Sequence, residues 1–205
     1  MAKKELISYL KREGFSEKII KAFETVDRKN FIPEEYKDEP YEDHPIPIGF
    51  GATTSQPYTI AFMLEKLELK PNNRQKVLEI GSGSGYVLAL ISEITKGKVY
   101  GVELIKELAE ESRETLKKLN YEDIMVINKS GFKGLPEHAP YDRILVSAAC
   151  PNLETAKNLC NQLKENGIIV ASVKWSIYQI KKENGKIISI KEFPGFAFVP
   201  LVEEN

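Results

Sequence analysis

Val77-Leu-Glu-Ile-Gly-Ser-Gly-Ser-Gly85 is the stretch from which the fold of this chain is read. Val77 to Ile80 is a short, mostly apolar run of strand type, and glycines at alternate positions follow it directly. Glycine allows a sharp turn and lets a ligand approach the backbone closely. Val87, Leu90, Ile91 and Ile94 then recur at helical spacing. Strand, glycine turn and helix together open an α/β unit.

The same rhythm continues towards the C-terminus. Val99 to Val102 reads as a second strand, and a charged helix follows with Leu104, Leu108, Leu116 and Leu119 on its inner side. Ile124 to Ile127 and Ile144 to Val146 read as buried strands. Asn152 is placed to cap a helix carrying Leu153, Ala156, Leu159 and Leu163, and Ile168 to Val170 restarts the sheet. Such alternation predicts a Rossmann-like, doubly wound α/β fold, with a mostly parallel sheet covered by helices on both faces. Beyond it the rhythm changes to antiparallel strands. Ile177 to Lys181 and Ile187 to Ile190 flank Asn184-Gly185, a strong hairpin signal, and Phe196 to Leu201 is expected to add a last strand.

Towards the N-terminus the pattern is a helical extension. Ser16 stands as an N-cap before Ile19, Ile20, Phe23 and Val26, with Phe15 and Ile20 spaced as a hydrophobic staple. A loop rich in proline, glycine and charge is expected from Asn30 to Pro57. Its aromatic and branched residues make it a functional loop rather than a linker. The whole is read as one domain, with residues 1–70 as a substrate-side extension and 71–205 as a cofactor-binding core.

Composition bounds the partners. The 205 residues are 42% hydrophobic and 29% charged, as in an ordinary globular protein. A formal net charge of −1 argues against a nucleic-acid partner. No apolar run approaches the roughly 20 residues of a membrane span, and the start of the chain lacks the apolar core of a secretory signal. Cys150 and Cys160 make neither a metal spacing nor a disulfide framework, and with only His44 and His138 besides, no metal site is expected. The expectation is a reduced, cytoplasmic monomer.

Three templates compete for the glycine loop. A dinucleotide fingerprint needs two residues between its last two glycines, and here there is one. A Walker A loop is excluded, because no Gly-Lys-Ser/Thr follows. The pattern E-x-G-x-G-x-G resembles the first motif of Rossmann-like methyltransferases. Glu103 ends the second strand, where a carboxylate can accept both hydroxyls of a ribose, although it also suits a solvated helix start. Glu79 is a candidate cofactor contact beside a plainer reading as a cap on nearby backbone N–H groups. A second site precedes the loop at Thr53-Thr-Ser-Gln-Pro57. Pro57 falls in the first turn of a helix bearing Ile60, Met63, Leu64 and Leu67, so Ser55 is read at or near its N-cap. A helix N-terminus with hydroxyls also attracts an anion, and a carboxylate substrate suits it.

The chain resembles protein-L-isoaspartate O-methyltransferases from about Leu6 to Val202. The likeness is carried by Val26-Asp-Arg-Lys-Asn-Phe-Ile-Pro33, Tyr41-Glu-Asp43, Pro45-Ile-Pro-Ile-Gly-Phe-Gly51 and Thr53-Thr-Ser-Gln-Pro57. It continues through Val77 to Tyr86, Pro136-Glu-His-Ala-Pro-Tyr-Asp142, Ala148-Ala149 and Phe198-Val-Pro-Leu201. The glycine loop is shared by many methyltransferases, whereas Pro-x-Pro-x-Gly-x-Gly leading to Thr-x-Ser-Gln-Pro is far more particular. The resemblance implies S-adenosylmethionine as cofactor and methyl esterification of isoaspartyl residues in damaged proteins. It further implies that Ser55 is the active-site serine, with Thr53 and Thr54 bordering cofactor and substrate. Gly81, Ser82 and Gly83, with Gly85 closing the loop, would wrap the methionine part, and Glu103 would hold the ribose. Where the family usually reads Gly-Asp-Gly, this chain has Lys129-Ser130-Gly131, so Ser130 and Gly131 face the adenine end without the acid. Ser172-Val173-Lys174 similarly replaces the usual Pro-Val-Gly. The competing expectations are a methyltransferase with another acceptor and a non-catalytic binding protein of the same fold.

Overall fold

A computed structural model describes residues 1–203. Two short helices, α1 (Lys3–Arg12) and α2 (Glu17–Thr25), bury Leu6, Leu10, Ile19, Ile20 and Phe23. Ser16 stands at the N-cap of α2, but its hydroxyl is directed outward, donating to Glu65 Oε2 at 2.7 Å.

The region expected as a loop contains 3₁₀ turns at Arg28–Phe31 and Glu34–Tyr36 and an antiparallel hairpin, β1 (Ile46–Gly49) with β2 (Ala52–Thr54). The tip Gly49-Phe50-Gly51 has φ of +93°, +53° and +75°. Glycine supplies that left-handed backbone freely on either side of Phe50, and this closes so short a ribbon. Helix α3 (Pro57–Lys66) follows at once and buries Ile60, Met63 and Leu64.

The core is one seven-stranded sheet, built from β3 (Val77–Ile80), β4 (Val99–Glu103), β5 (Ile124–Asn128), β6 (Tyr141–Cys150), β7 (Leu163–Val173), β8 (Ser176–Glu183) and β9 (Lys186–Pro194). Its order is β5-β4-β3-β6-β7-β8-β9, parallel as far as β7 and antiparallel beyond. Helices α4 (Tyr86–Thr95), α5 (Lys106–Lys118) and α6 (Leu153–Asn158) join the parallel strands. One buried cluster packs α1 to α5 against Val77, Val99, Leu145 and Val170. The other packs α6 and the turn after it against Leu78, Tyr100, Ile144 and Ile169. Strand residues alternate between the two clusters because neighbouring side chains point to opposite faces. The doubly wound reading therefore holds, with a helical extension before the sheet and antiparallel strands after it. Asn152 caps α6 as expected, its Oδ1 accepting the Thr155 N–H at 2.9 Å, while Leu163 belongs to β7 rather than to the helix.

Phe196 to Leu201 forms no strand. Gly195, at φ +98°, turns the chain away from β9, and the N–H groups of Gly195 and Phe196 donate to the Trp175 carbonyl. The Ala149 N–H donates to the Val199 carbonyl and the Leu201 N–H to the Ala149 carbonyl, so the pairing is one parallel bridge between Ala149 and Pro200. This tail crosses the carboxyl ends of the parallel strands. No helix among the described residues is long and apolar enough to cross a membrane.

Candidate active site

The winding direction reverses between β3 and β6, and a crevice opens there outside the carboxyl ends of the strands. Ile80 is level with Val102 of β4 and Val146 of β6. The next residues on the three strands are Gly81, Glu103 and Ser147, so the sheet register itself brings them to one rim.

The crevice has two adjacent compartments, with Ile48, Thr53, Gly81, Gly83 and Ser147 lining both. One, of about 460 Å³, lies between the glycine loop and α3 and reaches Thr54, Ser55, Met63, Glu79 and Tyr86. The other, of about 660 Å³, lies over β4 and is bounded by Glu103, Leu104, Ile105, Gly131 and the tail from Val199 to Val202. Ser55 and Thr53 also face a smaller opening of about 330 Å³, with Gln56, Ser147 and Phe198 around it.

The glycines of the loop differ in what they do. Gly81 and Gly83 have φ of +77° and +50°, and a Cβ on Gly83 would stand 2.9 Å from Ile48 Cδ1. The hairpin therefore closes directly over the loop. Gly85 forms the N-cap of α4, where a Cβ would meet Leu116 and Ser112 of α5. Glycine at this position therefore serves the packing of α4 against α5. Ser82 is buried with its Oγ unpartnered.

Glu103 is 7% exposed and holds the loop in place, with Oε2 accepting the Gly83 N–H at 2.8 Å and Oε1 the Ile105 N–H at 2.9 Å. A carboxylate has about four acceptor positions, so each oxygen retains capacity towards the compartment it borders. Gly131 lines the same compartment. Ser130 stands just behind it, its hydroxyl 3.4 Å from the Val202 carbonyl and from the Phe132 N–H.

Glu79 does not cap backbone N–H groups. It is 1% exposed, accepts the Ser147 hydroxyl at 2.7 Å on Oε1, and leaves Oε2 unpartnered. Burial pushes its carboxyl up to about 8; the Ser147 hydrogen bond opposes that shift and the charge of Glu103 adds to it. The pH consequence follows from linkage. Between its ordinary value of 4.5 and about 8, the folded protein keeps this proton while the unfolded chain has lost it. The stabilising contribution is therefore complete below the ordinary value and lost as pH rises through the folded one. In urea titrations of the ligand-free protein, Glu79→Gln is expected to match the parent at acid pH and to exceed its stability above pH ~8. Parallel stability–pH curves for the two proteins would show that Glu79 is ionised in the fold.

Ser55 precedes the cap of α3, whose N-cap residue is Gln56. The shift by one residue has a plain cause: Pro57 occupies the first helical position, and its fixed φ starts the helix there. The anion expected at this helix terminus is already present in the chain. Asp43 Oδ1 accepts the Tyr58 N–H at 2.8 Å and Oδ2 the Gln56 Nε2 at 3.2 Å. A substrate carboxylate therefore has Ser55 and the threonines to meet, rather than the first turn of α3. Thr53 is exposed at the junction of the compartments, and Thr54 is buried below it.

Ser147 reaches all three openings, and sequence reasoning misses it. Its signal is positional, as the first residue past the buried part of the strand across the switch point. Among the described residues no cluster of His, Cys, Asp or Glu is arranged to hold a metal. Both cysteines are buried free thiols, and burial raises the pKa of each.

Comparisons with known proteins bear on the family and the fold. A family model described as protein-L-isoaspartate(D-aspartate) O-methyltransferase matches residues 1–205. A curated protein-L-isoaspartate O-methyltransferase from Ignicoccus hospitalis is 43% identical, with 99% of this chain and 98% of that protein aligned. One from Pyrococcus horikoshii is 41% identical over 98% of this chain and 93% of its own length. Among solved structures, a protein-L-isoaspartate O-methyltransferase superposes with a TM-score of 0.88 at 26% identity; the match covers 98% of this chain and 66% of that one. A Plasmodium falciparum structure of the same description, in complex with S-adenosyl-L-homocysteine, gives a TM-score of 0.83 at 29% identity and covers 98% of both chains.

Proposed function

The chain belongs to the protein-L-isoaspartate(D-aspartate) O-methyltransferase family, and from that premise we propose that its two-compartment crevice performs S-adenosylmethionine-dependent methyl esterification of isoaspartyl residues. The substrate group is the free α-carboxylate of an L-isoaspartyl residue in a damaged protein or peptide. The observation that carries the reading is the common wall of Thr53, Gly81, Gly83 and Ser147. It sets a nucleoside-type compartment beside one that ends at Ser55.

The residues present fit the cofactor. Glu103 borders one compartment with acceptor capacity for ribose hydroxyls, and Gly81 and Gly83 offer backbone without side chains. The unpartnered Oε2 of Glu79 leaves a buried carboxyl facing the other compartment, and a cationic ligand beside it would draw off the proton that burial otherwise holds up to about 8. Once bound, S-adenosylmethionine would supply a methyl activated by its positive sulfur, for transfer to a carboxylate oxygen with the C–S electron pair left on sulfur.

The chain's own contribution is positional. A carboxylate with a pKa near 4 is ionised at neutral pH, so no general base is required. Ser55 donates its hydroxyl to the substrate carboxylate and turns one oxygen towards the methyl. Thr53 and Thr54 fix the approach from the hairpin, and Ile48 over Gly83 excludes water from the reacting centre. Alignment and fixed donors in place of water account for the rate.

Further elements of the proposal are a monomer acting in the cytoplasm without nucleic acid, in which residues 1–70 serve the substrate and residues 71–205 the cofactor. They are supported by the near-zero net charge and by the two clusters that absorb most of the large apolar side chains. The test is the product. An isoaspartyl peptide incubated with enzyme and methyl-labelled cofactor should carry a base-labile label, released as methanol while the peptide closes to a succinimide. A base-stable label would mean a different acceptor atom.

A further inference from the structure

Arg28 is fully buried, at 0% exposure, in the 3₁₀ turn after α2. Its side-chain bonds all run to backbone carbonyls, none to a carboxylate. Nη1 donates to Pro40 and Glu42, both at 3.1 Å, and Nη2 to His44 at 3.2 Å and Ser55 at 3.0 Å. Nε has no partner. A guanidinium held in this way carries a large desolvation cost with no carboxylate bonded to it, the charge of Asp43 opposing that cost only through space. An apolar side chain would fill the same volume at lower cost. The planar fork, however, can gather several carbonyls at fixed angles, which an ammonium cannot do.

What the fork gathers is specific to the substrate side of the crevice. Three of its carbonyls lie in segment 40–44 and the fourth is that of Ser55 itself. The same segment carries Asp43, which binds the Tyr58 N–H and the Gln56 side chain. Ser55 is thus held by Arg28 at its own carbonyl and, directly after it in the chain, by Asp43 at the two positions that flank Pro57. Neither clamp reaches the glycine loop or Glu103. Asp27, the neighbour of Arg28, anchors the arrangement from behind by accepting the Tyr41 hydroxyl at 2.7 Å.

We propose that Arg28 is a positioning residue for the isoaspartyl carboxylate, acting through Ser55 by fixing the backbone from which the serine hydroxyl is presented. The inference rests on the substrate role of Ser55 proposed above. It predicts that Arg28 governs use of the peptide and leaves cofactor binding alone.

The test uses Arg28→Lys and Arg28→Met, each alone and combined with Ser55→Ala. S-adenosylhomocysteine binding by calorimetry should stay within about twofold of the parent, since the cofactor compartment is untouched. The kcat/KM for an isoaspartyl peptide should fall roughly 10- to 100-fold in Arg28→Met, the cost expected of a misplaced contact. Arg28→Lys should recover part of it. Combined with Ser55→Ala, Arg28→Met should add less than about threefold, because residues acting through one contact are not additive. Three results overturn the proposal: wild-type peptide kinetics in folded Arg28 variants, losses that multiply fully with Ser55→Ala, or cofactor affinity that falls in parallel. If Arg28→Met does not fold, Arg28→Lys carries the test, and failure of both to fold makes Arg28 a residue of stability alone. A wild-type rate for Ser55→Ala by itself would instead refute the role of Ser55, and is thereby distinguished.

Discussion

Ser55→Ala is expected to lower kcat/KM for an isoaspartyl peptide by about 10²-fold, the usual cost of one well-placed donor to a reacting oxygen. The expectation follows from the position of Ser55, which faces both the compartment between the glycine loop and α3 and the smaller opening beside Phe198. Asp43 already occupies the first turn of α3, so the helix terminus cannot compensate for the lost hydroxyl. Thr53 and Thr54 remain, which is why a finite rate should survive. Ser55 lies outside the β4 compartment, so the Kd for S-adenosylhomocysteine should move by no more than about twofold. Ser55→Thr keeps a donor and should retain more activity than alanine. If alanine leaves kcat/KM unchanged in a folded protein, carboxylate recognition lies elsewhere along the wall, with Ser147 the next residue to replace.

The other large effect is at Glu103, where alanine should weaken S-adenosylhomocysteine binding by about 10²-fold or more. Hydrogen bonds to a charged group contribute about 1.5–3 kcal/mol each, and in the proposed function the carboxylate accepts two ribose hydroxyls. The same change removes the acceptor of the Gly83 N–H, so the loop that faces the cofactor loses its anchor as well. Glu103→Gln keeps one oxygen and the side-chain volume, and its affinity should lie between alanine and the parent. Peptide KM measured at saturating cofactor should change little in either variant. Cofactor affinity that survives Glu103→Ala would show that the ribose is held by other groups.

Ser55 and Glu103 are both legible in the amino-acid sequence, for different reasons. Glu103 is marked by local physics, as an acid ending the strand after a glycine loop. Ser55 is marked by resemblance, since its local signal is only that of a cap. The hairpin of β8 and β9 is legible from Asn184-Gly185, whose φ of +53° and +70° are what that dipeptide tolerates. The β1–β2 hairpin is hidden because Pro47 and the glycine-flanked tip read as loop, although Gly49-Phe50-Gly51 is itself the turn. Phe196 to Leu201 is a continuous apolar run like a buried strand but is turned away from β9 by Gly195, which apolar pattern alone does not weigh. The packing of Gly85 against Leu116 and Ser112 of α5 is likewise not visible in the motif, which marks the residue only as part of the loop. Ser147 and Arg28 depend on packing between segments distant in sequence. Nothing in a lone serine or a lone arginine announces such a contact.

The most direct measurement is methyl transfer from labelled S-adenosylmethionine to a matched pair of peptides that differ only in isoaspartate or normal aspartate at one position. Transfer confined to the isoaspartyl peptide is the predicted result. Equal transfer to both peptides, or to neither while S-adenosylhomocysteine still binds, would contradict it.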